Sequence, residues 1–247
     1  MSDKNEKNAL LQKEYYDFED LSAVMRILRS EEGCPWDREQ THQSIRSALI
    51  EETYEVVEAI DHEDPILLRE ELGDLLFQIF FHAQIETEEE RFGVSEIVSD
   101  ICKKMIYRHP HVFGTVTVEN SAEVLKNWET LKTKEKQRNT LVDKLRAIPS
   151  MMPSLMRAAK VSKKAGRAAE CDAGELIARL EDELARIKNA IAEPATDAAY
   201  EQIGELLLCV TDFAGRLEVD AEHALYRSTN RMIDQIAENH EKNLKKT

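Results

Sequence analysis

The sequence predicts an all-α protein made of two successive helical bundles. Three observations carry that expectation. Eight Gly and six Pro in 247 residues leave few breakers, while Glu, Lys, Leu and Ala are abundant. Apolar residues recur at three- and four-residue spacing along most of the chain. A stretch near residue 71 also reappears near residue 202, so one helical unit is used twice.

Residues 1–16 read as a polar tail. From Asp17 the residues Phe18, Leu21, Val24, Met25, Ile27 and Leu28 follow helical spacing until Gly33 and Pro35 end the run. A loop over Glu32 to Thr41 follows, then a helix from His42 to about Ile60 with Ile45, Leu49, Val56 and Ile60 on one face. Asp61 to Pro65 is a turn in which Asp64 suits an N-cap and Pro65 the first helical position. The next helix extends to about Glu88 through the apolar run Leu75 to Phe81. Another runs from Val94 to before Pro110, and one more spans Ser121 to Lys136. Residues 139–154 hold Pro149 and Pro153 and read as a linker with a short ordered piece. Residues 155–247 are helical, with breaks near Cys171 and at Pro194 to Asp197.

Glu71-Leu-Gly-Asp74-Leu-Leu matches Gln202-Ile-Gly-Glu205-Leu-Leu at an offset of 131. The same offset places Glu52 on Glu183 and Glu55 on Arg186. With a four-residue shortening, Lys104 to Arg108 falls on Arg231 to Gln235. The second copy has lost carboxylates where the first keeps them.

A formal charge of −15 argues against a surface that binds duplex nucleic acid. Four scattered cysteines form no C-x-x-C pair, which fits a reduced compartment. No apolar stretch reaches the ~18 residues that cross a bilayer, and the N-terminus lacks a signal-peptide core. A cytoplasmic protein is expected.

The chemistry concentrates in two acidic pairs. Glu52-x-x-Glu55 and Glu71-x-x-Asp74 each place two carboxylates on one helix face. Residues 52 and 74 are each 11 positions from residue 63, and residues 55 and 71 are each 8. In an antiparallel hairpin both pairs therefore stand roughly 12–16 Å from the turn and converge. Such a cluster raises its own pKa values unless a hard cation sits among the oxygens, and Mg²⁺ is the cation that habitually adds phosphate ligands. A solvated acidic face gives the same pattern. Gly73, costly inside a helix, suggests close approach of a neighbouring backbone. A di-iron carboxylate bundle would need two E-x-x-H motifs, and only Glu39 to His42 supplies one.

These residues also resemble a known family. The runs Gly33-Cys-Pro-Trp-Asp37-x-x-Gln-Thr-His42, Glu51-Glu52-x-Tyr-Glu55, Glu70-Glu71-Leu-Gly-Asp74-Leu-Leu-Phe-Gln78, Arg108-His-Pro-His-Val-Phe113 and Trp128-Glu129 with Lys132 are similar to the MazG nucleoside triphosphate pyrophosphohydrolases. The resemblance is dense from Leu21 to Lys136 and fainter beyond.

It implies an all-α fold, a homodimer of interlocking bundles, and Mg²⁺-dependent cleavage of (deoxy)ribonucleoside triphosphates between the α- and β-phosphates, with Mn²⁺ as a substitute. Carried over by position, Glu52, Glu55, Glu71 and Asp74 are metal ligands. Glu51 or Glu55 activates water. Lys104, Arg108 and Lys132 contact phosphates, and Trp36 and Trp128 flank the base. For Lys104 and Arg108 a solvated basic face is the plain alternative, and for Trp36 a core position. His109 and His111, without a third ligand, read as structural.

The domains expected are a catalytic one at 17–138 and a degenerate one at 155–247. Arg186 and Gln202 stand where ligands would be, and Gln235 where Arg108 would be. The second domain is therefore expected to be silent. The alternative for the whole chain is a weak or inactive helical protein that binds nucleotides and regulates.

Overall fold

The computed structural model describes residues 3–135, 140–166, 172–190 and 197–244. Every regular element among them is a helix, in agreement with the expected all-α class. The chain divides into two compact units, Met1–Trp128 and Glu129–Thr247.

The first unit holds α1 (Asp3–Leu10), α2 (Phe18–Leu28), α3 (Pro35–Glu39), α4 (Arg46–Asp61), α5 (Pro65–Glu88), α6 (Val94–Arg108), α7 (Pro110–Phe113) and the start of α8 (Ser121–Glu135). Its core is Met25, Ile45, Phe80, Phe81 and Ile85, with Leu21, Leu28, Leu76, Phe77 and Val94 packed around them. α2 begins where the sequence indicates, because the Asp17 side chain accepts from the Glu19 and Asp20 backbone N–H groups.

The polar tail differs from expectation. Residues 3–10 form α1, held to α2 by an Arg26–Glu6 ion pair, and Lys13 meets Asp20 at 2.5 Å. Charge pairing rather than apolar burial fixes it, which hydrophobic periodicity cannot reveal. The loop expected over Glu32 to Thr41 contains α3. Its entry is tight: a Cβ on Gly33 would collide with the carbonyl oxygens of Ile27 and Leu28. The helix expected from His42 starts at Arg46, because Thr41 and Ser44 spend their hydroxyls on each other's backbone N–H groups. Ile60, expected on the buried face, is exposed, and Ala59 is fully buried in its place.

The second unit holds the rest of α8 with α9 (Leu141–Arg146), α10 (Ser154–Ala165), α11 (Ala173–Ala190), α12 (Asp197–Arg216) and α13 (Ala221–Leu244). α11 and α12 pack as a hairpin, as α4 and α5 do in the first unit. Within the segment read as a linker, Thr140 caps α9 and Ile148 is buried. The breaks expected near Cys171 and at residues 194–196 lie outside the described residues. Cys34, Cys102 and Cys209 are free thiols. No described helix is long and apolar enough to cross a membrane.

Candidate active site

The α4–α5 hairpin is set by its turn. The N–H of Asp64 bonds to the Ala59 carbonyl at 3.1 Å and that of Glu63 to Ile60 at 3.1 Å, a Schellman closure with Glu63 at φ 54°. Asp64 then caps α5 by accepting from Ile66 and Leu67, and Pro65 occupies the first position. One residue thus ends α4 and the next begins α5.

This geometry brings an oxygen from each of Glu52, Glu55 and Glu71 within 4.8 Å of one another. Glu52 and Glu71 are half-buried, while Glu55 and Asp74 are exposed. Asp74 lies outside the group of three but raises both Glu52 and Glu71. Burial is the largest cause of the upward shift at Glu52, followed by the hydrogen bond with Glu55 and the charges of Asp74 and Glu55. For Glu71, burial comes first and the Glu55 and Asp74 charges follow. Glu51 is exposed one position earlier on α4.

This donor set fits a hard cation. The group of three that converges among the described residues is all carboxylate, and burial together with mutual repulsion penalises their ionised state until a positive charge compensates them.

Gly73 has no close neighbour. A Cβ there would meet nothing within 4 Å, so the expected approach of another backbone is absent within the described residues.

On α6, Lys104 is half-buried and Arg108 is buried, so a solvated basic face does not describe Arg108. The Arg108 guanidinium lies 5.2 Å from the centre of the Trp128 ring, and His109 meets that ring edge-on at 4.9 Å. The His109 imidazole also donates from Nδ1 to the Met105 carbonyl at 2.7 Å. Trp36, on α3, is 64% exposed, which rules out the core position. Lys132 belongs to the second unit, where it lies 3.3 Å from Glu129.

Residues beyond those expected surround the site. Gln78, one turn past Asp74, is buried and hydrogen-bonds to Glu52. Arg29 donates to Glu88 on α5 and to the Asp37 and Gln40 carbonyls, tying the α3 loop to the bundle. His42 reaches His82 and Glu86 on α5 at 2.7 and 2.6 Å. Gln78, His82 and Glu86 continue the Glu71–Asp74 face at helical spacing. A polar stripe through an apolar helix was the signal that could have found them.

The corresponding hairpin of the second unit is altered. Arg186 Nη1 lies 3.1 Å from Glu183 Oε1 within α11. Glu183 Oε2 and Gln202 Oε1 are buried without hydrogen-bond partners among the described residues.

The family model described as "MazG nucleotide pyrophosphohydrolase domain" matches residues 40–113, a span that contains both acidic pairs of the first unit. A curated relative from Escherichia coli is 39% identical over 222 residues, covering 88% of this chain and 84% of the relative. This chain belongs to the MazG family. The E. coli relative is named nucleoside triphosphate pyrophosphohydrolase. A second relative, from Thermotoga maritima, is 36% identical over 221 residues and covers 89% of this chain and 84% of its own length. Its name is nucleoside triphosphate pyrophosphohydrolase/pyrophosphatase MazG.

Proposed function

We propose that this MazG-family chain hydrolyses ribo- and deoxyribonucleoside triphosphates to the monophosphate and pyrophosphate, using Mg²⁺ bound between α4 and α5. The observation that carries the reading is the convergence of Glu52, Glu55 and Glu71 inside the span that matches the family. The names of the E. coli and T. maritima relatives support the substrate class.

Glu52, Glu55, Glu71 and Asp74 hold the cation, and Mn²⁺ suits the same oxygen donors. When bound, the ion neutralises phosphate charge and acidifies water. Glu55 or Glu51 takes the proton of the attacking water. Arg108, oriented by Trp128, binds phosphate oxygens with Lys104. Trp36 offers its exposed ring to the base, and stacking of that kind tolerates any base.

The first unit carries the reaction. In the second, the Arg186 guanidinium stands beside Glu183 as an internal counter-ion and repels a second cation. The protein acts in the cytoplasm, apart from duplex nucleic acid, as a homodimer. Ile50, Tyr54 and Val57 form an exposed stripe on α4, and Val98 and Ile101 another on α6. A second copy covering these stripes removes apolar surface from water.

A panel of nucleoside triphosphates with Mg²⁺ and direct detection of pyrophosphate tests the activity. Release that Glu52→Gln and Asp74→Asn both abolish supports it. No pyrophosphate from any triphosphate, with variants indistinguishable from the parent, would leave a nucleotide-binding regulator instead.

A further inference from the structure

Two buried acceptor atoms on α5 lack donors among the described residues: Gln78 Oε1 and His82 Nε2. Four residues apart, they lie one above the other on the face that carries Glu71 and Asp74.

Arg91 donates to Glu86 from Nε at 2.5 Å and Nη2 at 3.0 Å, and with His42 it holds that carboxyl at about 2. An ionised carboxylate can only accept, so His42 Nε2, 2.6 Å from Glu86 Oε1, carries a proton. An imidazole with one proton, on Nε2, is bare at Nδ1. His82 Nδ1, 2.7 Å away, must donate to it. The two rings are inclined by 11° with centres 5.0 Å apart, which is the nitrogen gap plus the two ring radii. They meet edge to edge along one line, as an N–H···N bond requires. Burial lowers the pKa of His82, which keeps it neutral. Its Nε2 is therefore bare and faces inward.

We infer that Glu86, His42 and His82 form a carboxylate–imidazole–imidazole positioning chain, completed by one water molecule that donates to both His82 Nε2 and Gln78 Oε1. Two acceptors need two donor hydrogens, and water supplies both without adding charge. With its oxygen engaged there, the Gln78 amide has only its NH₂ left for Glu52. A reversed amide would set oxygen against carboxylate. The chain thus fixes which end of Gln78 meets Glu52. Its bearing on metal binding rests on the proposed function, whereas the proton arrangement does not.

Imidazole ¹⁵N–¹H spectra of the full chain at neutral pH without metal test the arrangement, with His42→Phe and His82→Phe assigning the signals. The expected result is His82 protonated at Nδ1 and bare at Nε2, with His42 the reverse. A proton on His82 Nε2, or two rings exchanging between tautomers, would overturn the chain. Activity tests the coupling. His82→Phe should raise the Mg²⁺ needed for half-maximal pyrophosphate release by about 10-fold, with kcat at saturating metal within about two-fold. An unchanged metal requirement would overturn the link to Glu52. If the unaltered chain releases no pyrophosphate, the proposed activity fails, and the spectra alone still decide the proton arrangement.

Discussion

Arg186 Nη1 lies 3.1 Å from Glu183 Oε1, at the positions that Glu55 and Glu52 occupy in the first unit. A fixed cation stands where the first unit has a second carboxylate. Glu183→Gln should therefore leave pyrophosphate release within about two-fold of the parent, whereas Glu52→Gln lowers it by about 100-fold or more. Steady-state rates of the two variants at saturating Mg²⁺ check this. Equal losses would place chemistry in the second unit.

Glu86 supplies a dependence on pH. Its carboxyl is held at about 2 against an ordinary 4.5, first by the Arg91 hydrogen bond and then by His42. A lowered pKa in the folded state stabilises above the unfolded value, and that contribution fades as pH falls from about 4.5 toward 2. Glu86→Gln should lower Tm at pH 7 and converge with the parent as the pH drops through that window. A gap in Tm that persists unchanged to the lowest pH would contradict the assignment.

The turn offers a stability test that leaves the carboxylates alone. Glu63 sits at φ 54°, where a side chain is strained and glycine is not. Glu63→Gly should raise the urea midpoint by an amount equivalent to about 0.5–1 kcal/mol. A lower midpoint would mean that the Glu63 side chain does something the backbone does not show.

Arg108 is buried under the Trp128 ring, and lysine cannot copy its planar fork. Arg108→Lys should raise the KM for nucleoside triphosphate by about 10-fold while the charge is retained. Trp128→Ala should raise it less, since a cation–π contact is worth about 0.5–2 kcal/mol. Titration of KM in both variants orders the two contributions. An unaffected KM in Arg108→Lys would remove Arg108 from the phosphate contacts.

Much of this was legible in the sequence where local rules and tertiary packing agree. Asp64 and Pro65 start α5 because a cap and a fixed φ act within one turn of the chain. The acidic pairs meet because equal counts from residue 63 become equal heights on two antiparallel helices. The pattern was less informative where an apolar residue has two possible destinations. Ile50, Val57 and Ile101 have helical spacing yet are exposed, and periodicity does not separate a core face from one awaiting another molecule. No backbone approaches Gly73 among the described residues, and a helical glycine has several causes, of which backbone approach is only one. Gln78, quoted within a motif, and His82 were given no role because their partners, Glu52 and His42, are distant in sequence.

The Schellman turn at residues 62–64 also acts as a ruler. Inserting or deleting a single residue there would turn one acidic pair by about 100° and shift it by about 1.5 Å relative to the other. The cluster would be dismantled with every carboxylate still in place. Length changes should therefore be harmful at this bend.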